Sequence, residues 1–574
     1  MIRGGWLIWI LASGCASPKE AQGGESSEET GVASPDSAAG ETAEPGDSGA
    51  ECATPPWQTA EAQEPVSMGD GEGVSAAELA DAQAIADAVL EDSSTAAVFW
   101  RESGSERYVV HTTGGTFGFT QARNDEGDLV LAWEGTEPLL LQAYQDVSLE
   151  EELAYGNPEE TSFTDQGYAS DDPRLAYPDI AQTSYPRLMR RIAQIFAGSN
   201  GPDLGIALGS WANGGVGSHG GMDLYQSRAP LVFRGPGIVP GTYAMTADHV
   251  DIAPTVAGLL GVAPVRGVDG RRGRWVDGQL LKWQDGRVLD EILLPECAYG
   301  AAQRAVVIIL DGLSHTELFD GVTAGRTPNL ARLVDASAAV VGGGAIVGWP
   351  SFSLPGHTSV HTGVYQGHHG LLSNSFLDRS TGQTVPGVSL DEALLDPASG
   401  AEAINALMSP DVETLYEAVV RTDPSAVAAN INELTFRGAN WSRIVPGGPP
   451  PPGLDDYLRY GLADETAVIQ AGLMFEEVGP PTYLALSMYL TDGVGEGHGP
   501  HGDLLRDAMV ATDERLGRII DLYEAAGAMD DTLWVLTADH GMAIQDRART
   551  GRWSSMATAA GQTFSTHGRM LVLE

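Results

Sequence analysis

Ala305-Val-Val-Ile-Ile-Leu310 is an unbroken apolar run, rich in β-branched residues, that stops at Asp311. Such a run is typical of a parallel strand that is covered on both faces. Two later runs end in the same way, Tyr483–Leu490 before Asp492 and Thr532–Leu536 before Asp539. Because ligands bind at the carboxyl ends of strands in α/β sheets, the three acids mark a candidate site.

A second informative stretch is Trp349-Pro-Ser-Phe-Ser-Leu-Pro-Gly-His-Thr-Ser-Val-His-Thr-Gly363. It predicts a turn that delivers the hydroxyl of Ser353 to the start of a helix, with Pro355 in the first turn. The positive end of a helix dipole and free backbone N–H groups favour an anion such as phosphate. The alternative is that Ser353 only caps the helix.

The composition restricts the partners. The chain has 574 residues, of which 43% are hydrophobic, and 78 acidic against 32 basic residues give a net charge of −46. This charge argues against a nucleic-acid duplex or an anionic membrane surface as the main partner. It is compatible with bound divalent cations, and it does not indicate an oligomeric state.

The N-terminus predicts export. Arg3 precedes an apolar run that closes in Leu11-Ala-Ser-Gly-Cys15, which resembles a bacterial lipobox. The resemblance implies a lipoprotein signal peptide over residues 1–15, a lipid on Cys15 and a place in the bacterial cell envelope. An ordinary signal peptide or an uncleaved anchor is the alternative. Cys52 and Cys297 then remain, as a disulfide bond or as two thiols.

Residues 16–74 are rich in Glu, Ser, Gly and Pro and poor in large apolar residues, which predicts a disordered acidic tether. The tether ends at Ser75, which with Glu78 forms the pattern of a capping box before a helix.

Two histidines, His498 and His540, follow two of the acids and indicate a metal site. Carboxylate and imidazole ligands suit zinc, or manganese where carboxylates dominate. A single Asp at a strand end is usually a turn residue, but three of them with a hydroxyl at a helix start favour phosphoryl transfer between two divalent ions. His357 and His361 have a spacing that can bind metal, although packing or hydrogen bonding is the favoured interpretation.

Five motifs carry a family resemblance: Ile309–Gly312, Thr327–Leu330, Pro350–Gly363, His369–Asn374 and Ala538–Met542. They are similar, in the same order, to those of the alkaline phosphatase superfamily, and most of all to the type I phosphodiesterase/nucleotide pyrophosphatase family. The resemblance implies an α/β three-layer sandwich with a central, mostly parallel sheet. It also implies a metal-dependent hydrolase of small phosphoester substrates that works through a covalent phosphoserine.

The resemblance assigns roles to individual residues. Ser353 is the nucleophile, and Asn374 holds a phosphoryl oxygen. One metal, zinc or manganese, is held by the nucleophile together with Asp311, Asp539 and His540. A second metal is held by Asp492 and His498.

Some residues depart from the family pattern. The family nucleophile is commonly threonine, and asparagine commonly stands where this chain has Gly356. The second-metal histidine usually follows its aspartate by four residues, whereas His498 follows Asp492 by six, so His501 is an alternative ligand. A phosphonate or sulfate ester hydrolase, or a non-catalytic surface lipoprotein that retains the fold, are the competing functions.

The second metal needs a further histidine, for which His219 and His567 are the candidates. The flanks of His219 resemble the family's C-terminal segment, although they precede the Asp311 strand. We therefore predict a circularly permuted domain: residues 75–285 as the displaced C-terminal portion, 286–304 as a linker, and 305–574 as the N-terminal portion. Within the last portion, residues 375–472 form either a cap over the site or only a surface elaboration. A duplication with a degenerate first copy is the alternative.

Overall fold

The computed structural model describes the greater part of the chain from Val74 onwards: residues 74–75, 78–105, 107–123, 129–135, 185–209, 212–269, 274–295, 297–385, 404–443, 456–545, 550–559, 564–567 and 569–573. Cys15, the signal peptide and all but the last residue of the predicted tether lie outside these residues. Cys297 is disulfide-bonded, and both other cysteines, Cys15 and Cys52, lie outside the described residues. Of the helices described, none combines the length and apolar character needed to cross a bilayer.

A central sheet of eight strands carries the strand-end acids. Five of its neighbouring pairs run parallel and two antiparallel. In spatial order the strands are Trp441–Arg443, Ala428–Ile431, Tyr483–Met488, Arg304–Leu310, Thr532–Thr537, Leu231–Arg234, Ala338–Val341 and Gly241–Tyr243.

The Arg304–Leu310 strand shows why this sheet is buried on both faces. Val306 and Ile308 point into one apolar cluster, and Val307 and Ile309 point into another. Because successive side chains of a strand alternate between faces, an unbroken apolar run fills both clusters at once. The predicted doubly covered parallel strand is therefore confirmed.

Helices cover each face. The first cluster contains apolar side chains of His315–Thr323, Pro328–Leu333, Asp456–Val478 and Asp503–Ala525. The opposite cluster contains those of Ile252–Leu259, Ser353–Thr362 and Leu415–Thr422. The α/β three-layer sandwich with a mostly parallel central sheet is thus confirmed.

A second, seven-stranded sheet has antiparallel pairing throughout. Its strands, in spatial order, are Phe564–His567, Met570–Leu573, Leu204–Leu208, Thr95–Arg101, Arg107–Thr112, Gly115–Arg123 and Leu129–Gly135. Helix Leu79–Leu90 packs on one face, and helix Leu188–Ile195 on the other. On the latter face the Phe99 ring meets Trp349 at 4.9 Å between ring centroids, which supports the turn before Ser353.

The remaining elements are short. They comprise the helices Leu224–Ser227, Gln366–His369, Leu490–His498 and Trp553–Ala559, the 3-10 turns His249–Asp251 and Asp290–Ile292, and the strand pairings of Arg228–Ala229 and Ala247–Asp248 with Ala345–Ile346, Val265–Asp269 with Arg274–Gln279, Phe376–Asp378 with Gln383–Val385, and Gly217–Ser218 with Ala543–Ile544.

Two strands of the central sheet come from parts of the chain that the sequence did not assign to this sheet. Leu231–Arg234, from the early part, lies between Thr532–Thr537 and Ala338–Val341 in the central sheet. Ala428–Ile431, within the predicted cap 375–472, is likewise an inner strand of that sheet. This part of residues 375–472 therefore belongs to the central sheet, where it pairs with Tyr483–Met488.

Substitution of Phe233 by alanine tests the place of the early strand. Phe233 is fully buried and lies beside Val535 and Ala339. Loss of the ring leaves a cavity, so Phe233→Ala should lower the free energy of unfolding by about 3–5 kcal/mol. Urea denaturation measures this loss. Leu294→Ala, at a side chain that is 43% exposed, is the control and should change it by less than about 0.5 kcal/mol. A loss below about 1 kcal/mol for Phe233→Ala would show that this strand does not stabilise the central core.

Candidate metal centre and nucleophile

Three neighbouring parallel strands bring the acids to one edge of the central sheet. Arg304–Leu310 pairs with Tyr483–Met488 on one side and with Thr532–Thr537 on the other. Asp311, Asp492 and Asp539 follow these strands within one to four residues. Because neighbouring parallel strands end at the same edge of a sheet, Asp311 and Asp539 lie there directly, and Asp492 lies there in the first turn of helix Leu490–His498.

The serine turn brings its hydroxyl to the same edge. Ser353 is the first residue of helix Ser353–Thr362, and the N-cap position belongs to Phe352. The Ser353 hydroxyl oxygen lies 3.4 Å from Nε2 of His540. The interpretation of Ser353 as a mere helix cap is therefore not supported by its position.

Asn374 lies beside the nucleophile candidate. Its Oδ1 accepts a hydrogen bond of 2.9 Å from the backbone N–H of Leu354, which orients the amide next to Ser353. The first helical turn offers fewer free donors than the sequence predicts, because Leu354 donates to Asn374 and Gly356 donates to the carbonyl of Phe352. An anion at this point would meet the helix dipole and the Asn374 amide more than free backbone N–H groups.

A first potential metal-binding group consists of Asp311, Asp539 and His540, whose ligand atoms lie within 4.8 Å of one another. Nε2 of His540 is 3.0 Å from Asp539 Oδ2 and 3.8 Å from Asp311 Oδ1. The other ring nitrogen, Nδ1, lies 3.0 Å from the carbonyl oxygen of Gly541. A ring held in this way presents Nε2 to the carboxylates and to Ser353.

A second group of this kind consists of His219, Asp492 and His540. His219 Nδ1 lies 3.0 Å from the carbonyl of Ser351, so its Nε2 faces Asp492 Oδ1 at 4.0 Å. The rings of His219 and His540 stack with 3.7 Å between centroids. His219, from the early part of the chain, thus belongs to the second group and stacks on His540, which the two groups share.

Two of the remaining candidate histidines, His498 and His501, do not join these groups. His498 is exposed at the end of helix Leu490–His498. In a helix, six residues correspond to about 240° of rotation, so His498 points away from Asp492. The buried His501 bonds instead to Glu317, at 2.5 Å from its Nδ1. The backbone of His567 belongs to an edge strand of the second sheet.

Glu496 takes the place expected for His498. It follows Asp492 by four residues, one helical turn, and its Oε1 lies 3.2 Å from Nε2 of His219. The sequence interpretation missed it because three glycines between residues 493 and 497 suggested a loop. The glycines serve close packing instead, since a Cβ on Gly493 would lie 2.0 Å from the Tyr460 ring and one on Gly495 would lie 2.5 Å from the sulfur of Met542.

A buried network behind the first group was also missed. His357 Nε2 lies 3.4 Å from Asp311 Oδ2, and its Nδ1 lies 2.5 Å from Glu433 Oε1. Glu433 is also 3.2 Å from His361 Nε2 and accepts a hydrogen bond from Ser487. The hydrogen-bonding interpretation of His357 and His361 agrees with this geometry, while no pattern in the sequence marked Glu433.

The electrostatics of the edge favour cations. Burial and the charge of Asp539 raise the pKa of Asp311 to about 6, and burial and the charge of Asp311 raise the pKa of Asp492 well above its usual value. Burial opposes ionisation of Asp539, but His540 outweighs it and lowers that pKa. Burial also lowers the pKa of His219, yet the hydrogen bond to Glu496 and the charge of Asp492 raise it to about 10.

Orphaned oxygens show that the residues fit divalent ions. Asp311 Oδ1 and Asp492 Oδ1 are buried and make no hydrogen bond in the structure. Asp539 Oδ2 is also buried, and it has an ion-pair contact of 3.0 Å with Nε2 of His540. Buried oxygens without partners cost free energy, and a cation bound among them would remove that cost. Carboxylates with imidazole Nε2 atoms are a ligand set that zinc and manganese accept.

Comparison with known proteins agrees with the motifs. Residues 305–570 match the family model described as type I phosphodiesterase/nucleotide pyrophosphatase. An uncharacterized pyrophosphatase/phosphodiesterase of Schizosaccharomyces pombe is 36% identical over 92 residues, which are 16% of this chain and 18% of that protein. The chain therefore spans less than a fifth of that relative.

Solved structures give a more distant likeness. Murine ectonucleotide pyrophosphatase/phosphodiesterase 5, also solved with AMP, is 16% identical with a TM-score of 0.30, over 43% of this chain and 59% of that one. Phosphonoacetate hydrolase from Sinorhizobium meliloti, solved with phosphonoformate, is 18% identical with a TM-score of 0.28, over 42% and 57%. The resemblance of this chain to the type I phosphodiesterase/nucleotide pyrophosphatase family, which the motifs predict, is confirmed by the match over residues 305–570.

Proposed function

We propose that this protein is a metal-dependent phosphoester hydrolase of the phosphodiesterase/nucleotide pyrophosphatase type, with Ser353 as its nucleophile. The observation that carries the proposal is the position of the Ser353 hydroxyl, 3.4 Å from His540 Nε2 within the group formed by Asp311 and Asp539. A nucleophile needs an activating group within such reach. The family match over residues 305–570 supports the reaction class.

The residues divide the work. Two divalent cations, zinc or manganese, would supply charge to the phosphoryl oxygens and lower the pKa of the serine hydroxyl. The Ser353 oxygen attacks phosphorus, a covalent phosphoserine forms, and the bond to the leaving oxygen breaks; with a diester substrate the phosphoserine keeps the second ester group. Water then cleaves the phosphoserine and restores the hydroxyl. Asn374, whose amide oxygen accepts from Leu354, would donate its side-chain N–H to a non-bridging oxygen.

The ligand assignment follows the two groups. Asp311, Asp539, His540 and Ser353 would hold the first cation, and Asp492 with His219 would contribute to the second. The position of His219 also supports the circularly permuted arrangement, in which residues 75–285 supply to the site what relatives supply after the Asp539 segment. The strand Leu231–Arg234, which pairs with Thr532–Thr537, supports the same arrangement.

We further propose that a lipid on Cys15 anchors the protein in the bacterial cell envelope. The support is the Leu11–Cys15 pattern of the sequence. Metabolic labelling with a clickable fatty acid should mark the wild-type chain, and Cys15→Ala should remove the label and release the protein from membranes. Labelling that persists in Cys15→Ala would contradict the proposal.

Substitution of Ser353 tests the nucleophile. Ser353→Ala should lower kcat for bis-p-nitrophenyl phosphate at least about 1,000-fold, because no hydroxyl remains to form the covalent intermediate. Ser353→Thr keeps a hydroxyl and should retain measurable turnover. EDTA should abolish wild-type activity, and a panel of nucleotide diesters, lipid head groups, monoesters and phosphonates would identify the substrate.

The same samples allow a direct search for the intermediate. Acid-quenched wild-type enzyme should carry one covalent adduct on the peptide that contains Ser353, as read by mass spectrometry. The adduct is a p-nitrophenyl phosphoryl group from bis-p-nitrophenyl phosphate, or a phosphoryl group from a monoester. Wild-type activity without any phosphorylated Ser353, together with an active Ser353→Ala variant, would contradict the assignment.

The raised pKa of Asp311 predicts a pH dependence of stability in EDTA. An unfolded Asp has a pKa of about 3.9, whereas the folded value is about 6. The folded state therefore binds more protons between these values, and stability falls as pH rises through this window. Asp311→Asn removes the buried charge and should raise the free energy of unfolding at pH 7.5 by about 1–3 kcal/mol, with little gain at pH 4.

Urea denaturation at the two pH values measures this difference. Asp503→Asn, at a side chain that is 95% exposed, is the control and should shift stability by less than about 0.5 kcal/mol at both. With saturating manganese at pH 7.5, wild type should instead be the more stable protein, because Asp311→Asn has lost a metal ligand. An equal stability of Asp311→Asn and wild type at pH 7.5 in EDTA would refute the electrostatic account.

A further inference from the structure

Glu496 and Asp492 converge on one imidazole nitrogen. Nε2 of His219 lies 3.2 Å from Glu496 Oε1 and 4.0 Å from Asp492 Oδ1. The two acids are four residues apart in helix Leu490–His498, so one turn of the helix places them on the same face. The histidine arrives from a separate segment that is held to the Ala543–Ile544 strand.

Each of the three side chains has a feature expected of a metal ligand. Asp492 Oδ1 is buried and makes no hydrogen bond. The Nδ1 atom of His219 is engaged by the Ser351 carbonyl, which leaves Nε2 facing the acids. The Glu496 side chain is 48% exposed, so its torsions are free to adjust the carboxylate towards an ion.

We propose that Glu496 is a direct ligand of the second divalent cation, together with Asp492 and His219. This inference rests on the proposed function. In it, Glu496 takes the place of the histidine that the family resemblance places four residues after the aspartate. The four carboxylates Asp311, Asp539, Asp492 and Glu496 then carry four negative charges, which two divalent cations balance. A site with two carboxylates and one imidazole accepts manganese more readily than a site with two imidazoles.

The competing explanation gives Glu496 only a positioning role, as the hydrogen-bond acceptor that orients His219. Glu496→Gln separates the two explanations, since the amide oxygen still accepts a hydrogen bond but is a much poorer metal ligand than a carboxylate. Glu496→His places an imidazole where the family has one.

The experiment titrates full-length protein, stripped of metal by a chelator, with Mn²⁺ or Zn²⁺ in a calorimeter, and Mn²⁺ is counted independently by electron paramagnetic resonance. Wild type should bind two ions per chain. Glu496→Gln should bind the second ion at least about tenfold more weakly. Glu496→His should retain the second ion and favour Zn²⁺ over Mn²⁺ relative to wild type.

His498→Ala is the matched control, two residues away on the exposed end of the same helix, and should bind both ions like wild type. Unchanged affinity for both ions in Glu496→Gln, or loss of the second ion in His498→Ala, would overturn the assignment of Glu496. A wild-type chain that binds fewer than two ions would instead contradict the two-metal function itself. Cooperative thermal melts of the chelated variants check that each one is folded before the titration.

Discussion

Mutual repulsion among buried carboxylates is the constraint on which this site depends. Three parallel strands in register end in acids, so Asp311, Asp492 and Asp539 are held together by the backbone of the sheet. Burial and neighbouring charge raise the pKa values of Asp311 and Asp492. Keeping such groups close together lowers the stability of the fold, and bound divalent cations would offset this cost.

The site is also the place where distant parts of the chain depend on one another. His219 reaches it through the pairing of Gly217–Ser218 with Ala543–Ile544, and the serine turn rests on Phe99 of the second sheet through Trp349. The Glu433 carboxylate supports His357, which in turn contacts Asp311. Packing far from the acids therefore determines whether the candidate ligands and Ser353 meet.

Much of this arrangement could be predicted from local patterns. The apolar run of Ala305–Leu310 fixed a doubly covered strand, because alternating side chains must fill two cores. The same pattern before Asp492 and Asp539 indicated a shared edge, and the motif around Ser353 indicated a helix start. The reason is that strand periodicity, helix starts and strand-end acids are properties of short segments, which tertiary contacts rarely reverse.

Other features became visible only in the folded molecule. The segment Leu490–His498 contains three glycines and suggested a loop, yet it is a helix in which Gly493 and Gly495 allow Tyr460 and Met542 to pack closely. In this helix Glu496, and not the predicted His498, lies beside His219. The sequence by itself determined which residue types and strand ends were available for a metal-dependent nucleophile. Tertiary structure decided which of them meet, since long-range packing sets helix phase and brings His219 and Glu433 to their partners.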